Sequence, residues 1–336
     1  MEEKKVNEEK EYKENKIIET NNLTIERDQE TGHKIINDFY FEDIIGRGAY
    51  GKVKKCKNLK TEEVFAVKIL NKYLMRKKKK SFGKANDGSL LIHYMIEDAI
   101  NEMKTYKALP TRHPNILSLY QILNNDESDK TYLIMELAEK GPLATVDENS
   151  GIFTLNSYYD NNIYDEKLIK KWMYEIASGI KFLHDNDICH CDIKPDNILI
   201  DKDGHCKLAD FGCSVIIDKN EGDRFTKTEG NIYFFPPEFC DEEKDKKFFA
   251  YKPVDIWAFG VSIYTCIFKS LPFFPRNREN IMDLFEEISN AKVDLNRNGI
   301  KISKELRNLL SHIFEKDPEK RFTANDIIHN PWLNEK

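Results

Sequence analysis

From Phe39 to Leu70 the chain reads FYFEDIIGRGAYGKVKKCKNLKTEEVFAVKIL. Apolar and polar residues alternate through it, with breaks at a glycine cluster and at a turn near Asn58-Leu59-Lys60. The alternation predicts consecutive antiparallel strands. After Lys72 a basic, glycine-containing stretch to about Ser89 reads as a loop. Ile96, Ile100, Met103 and Tyr106 or Lys107 then recur at helical spacing. Thr131–Leu137, TYLIMEL, is a short buried strand, and KGPL at Lys140–Leu143 marks a chain reversal and a boundary between two lobes. Beyond it the pattern is mainly helical. Leu168, Trp172, Ile176, Ile180 and Leu183 form one stripe, and Val254–Phe268 is apolar nearly all round, as in a helix buried on every side.

Residues 1–35 carry Glu, Lys and Asn and few large apolar groups. They bury too little to offset ordering entropy, so a mobile or locally helical tail is expected. The reading is α+β: a small antiparallel β lobe with one key helix over 36–138, and a larger, mainly helical lobe over 139–334. At 336 residues, with 40% hydrophobic and 11% aromatic content, both lobes have material for a core.

No apolar run reaches membrane-spanning length, and Met1-Glu2-Glu3-Lys4-Lys5 lacks the apolar segment of a secretory signal. A cytoplasmic protein is expected, with a nuclear address left open. The net charge of −6 supplies no global drive toward nucleic acid. Arg76-Lys77-Lys78-Lys79-Lys80 is locally basic, and its plain reading is a solvated surface loop. Seven cysteines without regular spacing suit free thiols in a reducing compartment. Cys189, His190, Cys191, Cys206 and Cys213 miss the two separated ligand pairs of a structural zinc site.

Gly46, Gly48, Gly51 and Val53 fit G-x-G-x-x-G-x-V. Because these glycines sit between two strand patterns, they suggest a hairpin lid over phosphates rather than the helix start of a dinucleotide fold. Lys68 closes FAVK in an otherwise apolar strand, where an ammonium needs an anion. Phosphate oxygens and a carboxylate both serve. Helix geometry favours Glu102 over Glu97 as that carboxylate. In ICHCDIKPDNILI, Asp192 can accept a hydroxyl proton, Lys194 can neutralise a transferring phosphoryl group, and Asn197 can hold Mg²⁺. Asp210 of Asp210-Phe211-Gly212 adds a second hard oxygen ligand. Each residue alone could be ordinary surface polarity; together and in this order they form a phosphoryl-transfer set.

With these motifs in this order, the chain from about Phe39 to Leu333 resembles a eukaryotic protein kinase. The resemblance implies ATP and Mg²⁺ as cofactors and a protein hydroxyl as acceptor. It places Ile45, Val53, Ala66 and Leu199 around adenine, with Met135 as gatekeeper and Glu136 to Ala138 as the hinge. Tyr106, Leu119, Phe211 and His190 would stack into a spine. Glu238 should pair with Arg321, and Asp255 should brace the catalytic loop. Lys194 is similar to the serine/threonine branch. ELAEKGPL, the basic insert and DIKPDNILIDKDGHCKLADFG resemble the calcium/calmodulin-dependent kinase kinases and the neighbouring energy-sensing group. That group's insert is Arg/Pro-rich, whereas this one is Lys-rich without proline. The chain also stops soon after the last catalytic-domain helix, so calmodulin control is not expected; nor is oligomerisation.

Three positions depart from the family pattern. Cys191 replaces the arginine that clamps a phosphorylated activation loop, a set of charge-assisted contacts worth about 1.5–3 kcal/mol each. Asn231 takes the place of a threonine that bridges Asp192 and Lys194, and Pro236 that of an alanine. No phosphate, metal or proton-transfer residue is lost. The expectation is an active kinase with weak dependence on arginine-clamped phosphorylation, Thr226 and Thr228 being candidate modification sites in the activation segment. A pseudokinase scaffold is the alternative.

Overall fold

A computed structural model describes residues 16–48, 51–84, 90–146, 153–156, 165–218, 231–240, 250–275 and 280–334. Two compact units emerge, Met1–His113 with Leu117–Ala138, and Pro114–Ile116 with Glu139–Lys336. Together their elements make an α+β protein.

The first unit contains β1 (Ile18–Thr20), β2 (Ile25–Arg27), β3 (Lys34–Ile36), β4 (Phe39–Gly48), β5 (Gly51–Asn58) and β6 (Val64–Asn71). Helix α1 (Lys72–Lys77), strands β7 (Lys79–Lys84) and β8 (Leu90–Tyr94), helix α2 (Met95–Ala108), and strands β9 (Leu119–Leu123) and β10 (Lys130–Met135) follow. One sheet runs β1-β9-β10-β6-β5-β4-β3-β2. All its pairings are antiparallel except β1 with β9. Ile36, Phe39, Phe41, Cys56, Val67, Leu123, Tyr132 and Ile134 form the core on its inner face. Burial and the nearby Glu42 carboxylate push the Cys56 thiol up to about 12, so it behaves as a small apolar group.

Three expectations change here. Residues 18–36 hold three short strands where a mobile or locally helical tail is predicted. Ile18 and Ile25 are exposed, so β1 and β2 rest on main-chain pairing, which leaves no hydrophobic signature, whereas β3 buries Ile36 in the core. The basic stretch after Lys72 is a helix and a hairpin rather than a loop. Asn71 caps α1 by accepting from the Leu74 amide, and β7 pairs antiparallel with β8. Finally, α2 buries only part of the stripe its apolar spacing suggests, with Ile96 and Met103 half-buried. Ile100 is exposed, while Ala99, Glu102, Thr105 and Tyr106 are buried.

The second unit has β11 (Gly141–Pro142), β12 (Ala144–Val146), β13 (Phe153–Leu155), α3 (Glu166–Asp185), β14 (Ile188–Cys189), β15 (Ile198–Ile200), β16 (Cys206–Leu208) and β17 (Val215–Ile216). Then come α4 (Tyr251–Phe268), α5 (Ile281–Asn290), α6 (Lys304–Ile313), α7 (Ala324–Ile328) and α8 (Pro331–Asn334). Asp165 caps α3 by accepting from the Lys167 and Leu168 amides. The stripe expected on α3 points inward through Trp172, Ile176, Ile180 and Leu183. Helix α4 is buried along almost its whole length. Its Trp257 stacks on Phe273 at 5.8 Å and meets Phe314 edge-on at 5.3 Å. Among the described residues no helix is long and apolar enough to cross a membrane.

The glycines of the β4–β5 hairpin differ in what they tolerate. A Cβ on Gly51 would collide with the Ile69 carbonyl oxygen of β6. A Cβ on Gly46 would lie 3.5 Å from Val53 Cβ, an ordinary contact. Gly51→Ala should therefore destabilise the protein by about 1–3 kcal/mol, read as a shifted denaturant midpoint. Gly46→Ala should shift that midpoint by less than about 1 kcal/mol.

Candidate active site

Strand β6 sits between β5 and β10, so Lys68 projects from an interior strand of the sheet. Its ammonium donates to both oxygens of Glu102 at 2.7 Å. Glu102 is 2% exposed. A buried carboxylate requires such a partner, because desolvating an unpaired charge costs several kcal/mol. Glu97 instead accepts from the Tyr94 amide at 3.3 Å at the start of α2. The sheet register places Val53 opposite Lys68, Ala66 opposite Met135 and Gly46 opposite Val53. Gly48 pairs with Gly51 at the hairpin end, and Ile45 is exposed on β4. Glu136 follows β10 and locks to the 118 position twice: its amide donates to the Ser118 carbonyl, and its carboxylate accepts from the Ser118 amide. Ala138 ends this unit. Tyr106 and Leu119 are both buried here.

In the second unit the catalytic-loop candidates hang from Asp255, a fully buried carboxylate on α4. Its Oδ2 accepts from the His190 amide at 2.8 Å, and its Oδ1 accepts from the Cys191 amide at 2.8 Å. His184 Nε2 lies 2.9 Å from the same Oδ2. Cys191 has φ of 61°, the left-handed region that side chains other than glycine rarely adopt. The two amide bonds to Asp255 compensate that backbone cost. His190 is also buried: its Nε2 lies 3.0 Å from the Ala209 carbonyl, and its Nδ1 accepts from the Asp192 amide at 3.3 Å. Its ring is 5.1 Å from Phe211.

Asp192, Lys194 and Asn197 converge within this loop. Lys194 Nζ lies 3.0 Å from Asp192 Oδ2. Asn197 Nδ2 donates to the Asp192 carbonyl at 2.8 Å and to Asp192 Oδ2 at 2.9 Å. Burial opposes the Lys194 charge, but Asp192, with Asp196 and Asp210, outweighs it and raises the ammonium above the ordinary 10.5. A raised lysine value means that this pairing contributes stability below pH 10.5 and loses it only as the pH climbs through the higher folded value. Asp210 is exposed at φ of 65°. With the Asn197 amide nitrogen spent on Asp192, its Oδ1 remains for a cation. That oxygen and the Asp210 carboxylate are the hard donors Mg²⁺ takes, so the residues fit the metal. Leu199 lies half-buried on β15.

Glu238 and Arg321 form a buried bidentate pair, at 2.7 and 2.8 Å. Arg321 further donates to the Pro253 and Glu315 carbonyls, and its guanidinium lies 5.1 Å from the Trp257 ring centre. Asn231 caps a short 3-10 turn by accepting from the Tyr233 amide at 3.0 Å. Pro236 precedes a second such turn. Thr226 and Thr228 lie outside the described residues.

Among the described residues, Asp255, His184 and Cys189 bring a carboxylate, an imidazole and a thiol within 4.8 Å of one another. Asp255 already spends both oxygens on His190, Cys191 and His184, so hydrogen bonding accounts for the group. His184 is the member that sequence reasoning missed. Its signal is a histidine beside Leu183 on the inward stripe of α3.

Arg321→Ala leaves Glu238 buried without its cation and should destabilise the protein by about 3–5 kcal/mol in denaturant unfolding. Removing both charges with Glu238→Ala and Arg321→Ala should cost less than the sum of the single changes.

The protein kinase domain pattern matches residues 39–333. Serine/threonine-protein kinase TOS3 of Saccharomyces cerevisiae is 31% identical over 95% of this chain and 57% of its own length. A Dictyostelium discoideum protein named a probable serine/threonine-protein kinase is 30% identical over 90% of this chain and 39% of its own. Serine/threonine-protein kinase ssp1 of Schizosaccharomyces pombe is 29% identical over 94% of this chain and 45% of its own. The chain thus spans about half the length of these curated relatives. With its fold, its matched span and these relatives, the chain belongs to the protein kinase domain family, on the serine/threonine side.

Proposed function

We propose that this chain is an active serine/threonine protein kinase that transfers the γ-phosphate of ATP to a protein hydroxyl. The observation that carries the reading is the hydrogen-bonded set of Asp192, Lys194 and Asn197 on a loop fixed by Asp255. Both contacts to Asp192 fall on Oδ2, which leaves Oδ1 to take the proton. The substrate oxygen bonds to the γ-phosphorus as the bond from that phosphorus to the β–γ bridging oxygen breaks. The hydroxyl proton passes to Asp192, and ADP carries away the released electron pair. Lys194 and Lys68 offset negative charge on the phosphates, and Glu102 holds the Lys68 ammonium in place. Asn197 and Asp210 would hold Mg²⁺, which supplies charge neutralisation at the phosphates. Ile45, Gly46, Gly48, Gly51, Val53, Ala66, Met135, Glu136, Ala138 and Leu199 serve nucleotide binding.

Cys191 removes a regulatory cation rather than a chemical group. Its backbone amide still bonds Asp255, which is the contact the loop conformation needs. Turnover accordingly does not depend on a phosphate clamped at this position. The motif stretches quoted above favour the calcium/calmodulin-dependent kinase kinase group.

Phosphotransfer from labelled ATP to a peptide array tests the reading. Serine or threonine peptides should be labelled, and Asp192→Asn should lower transfer by at least about 100-fold, as expected for loss of a general base. No transfer to any peptide or to the protein itself would favour a nucleotide-binding scaffold. Cys191→Arg should leave basal turnover within about twofold, since the loop is held through the Cys191 amide, which the substitution keeps.

A further inference from the structure

The first unit contains a segment that the catalytic reading does not use. Residues 18–27 attach to both edges of the sheet before the matched kinase domain begins at residue 39. At one edge β1 runs parallel to β9, with Ile18, Glu19 and Thr20 opposite Gln121, Ile122 and Leu123. The Asn124 amide donates to the Thr20 carbonyl at 2.9 Å, and Gln121 Nε2 donates to Thr20 Oγ1 at 3.3 Å. Without β1, strand β9 would present an open row of main-chain groups. At the other edge β2 pairs with β3.

Between the two edges the segment is gripped by Asn37. Its Oδ1 accepts from the Thr24 amide at 2.9 Å and from Thr24 Oγ1 at 3.1 Å. Its Nδ2 donates to the Asn22 carbonyl at 3.2 Å, and its own amide donates to the Thr24 carbonyl at 3.0 Å. Asn37 has φ of 51°, a conformation that asparagine adopts more readily than most side chains. Leu23 adds a partly buried contact with the sheet core.

The segment also reaches α2. Glu19 forms an ion pair with Lys107 in the last turn of that helix. Lys107 lies five residues beyond Glu102, or about 7.5 Å along the helix axis. A hydrogen-bonded helix moves as a rod over that distance, so the position of its last turn sets where Glu102 meets Lys68. Displacements of about 1 Å at reacting groups can change rates by about 100-fold.

We propose that residues 18–27 are a positioning strap: Asn37 anchors the segment, and Glu19 holds Lys107, so that α2 presents Glu102 to Lys68. Glu19, Lys107 and Asn37 are positioning residues, and the effect on turnover rests on the kinase reading given above. The strap explains why a polar segment with exposed isoleucines is ordered into strands: its main chain and one carboxylate do the binding.

The test uses the full chain, at low salt and well below the unfolding midpoint. Glu19→Lys should speed amide exchange in residues 95–108 by about threefold and lower kcat/KM by a similar factor, the scale of a partly exposed ion pair reversed. Glu19→Lys combined with Lys107→Glu should restore both. Glu26→Lys makes the same charge change on exposed β2 and should alter neither. Asn37→Gly keeps the backbone angle but loses the grip, and should loosen both β9 and α2. Asn37→Asp keeps the Oδ1 acceptor and should recover most of the protection.

Unchanged α2 exchange in both Glu19→Lys and Asn37→Gly would overturn the strap. So would failure of the charge swap to restore exchange, or faster exchange with unaltered kcat/KM in an active protein. A wild-type chain that transfers no phosphate would overturn the kinase reading instead, and the exchange results would then decide by themselves whether the strap holds α2.

Discussion

The catalytic loop depends on one buried carboxylate. Asp255 sits inside α4 with no exposure and accepts from two consecutive loop amides and from His184. Each charge-assisted bond of this kind is worth about 1.5–3 kcal/mol. That is enough to hold Cys191 in the left-handed conformation, which costs about 1–3 kcal/mol. Fixing residues 190 and 191 directs Asp192, and Asn197 and Lys194 then fasten to Asp192. The proposed chemistry therefore hangs on a main-chain contact. The identity of the side chain at 191 does not enter it.

The same competition between charge and apolar burial decides α2. Turned one way, the helix would bury Ile96 and Ile100. Turned as it is, Ile100 is exposed and Glu102 is buried against Lys68. Burying one isoleucine is worth about 1.5–3 kcal/mol, whereas leaving the buried Glu102 carboxylate without its lysine costs about 3–5 kcal/mol. The ion pair wins, and an exposed apolar residue is the consequence.

The sequence makes some of this legible. Alternation identifies the strands from Phe39 onward, the apolar run identifies α4, motif spacing singles out Lys68, Asp192, Lys194 and Asn197, helix geometry adds Glu102, and the family resemblance adds Asp255, Glu238 and Arg321; the structure places all of these as hydrogen-bonded groups. Other features leave no such trace. The strands at 18–27 bind through main-chain atoms with Ile18 and Ile25 in solvent, so composition reads them as a tail. The hairpin of β7 and β8 is hidden because its first strand, KKSFGK, does not alternate apolar with polar residues. The outward turn of Ile100 is invisible to periodicity, which counts apolar residues but not the charge that overrules them. His184 escapes because a histidine on a helix stripe has no sequence mark that separates a core residue from a carboxylate partner.

The central claim is that a loop held by Asp255 supports turnover without an arginine-clamped phosphate. The most direct test compares kcat before and after phosphatase treatment, with mass spectrometry confirming that no phosphate remains on residues 210–238. The account predicts values within about twofold of each other, because no charge-assisted clamp at position 191 is there to lose. A fall of about 100-fold or more on dephosphorylation, the scale of losing two such contacts, would contradict it.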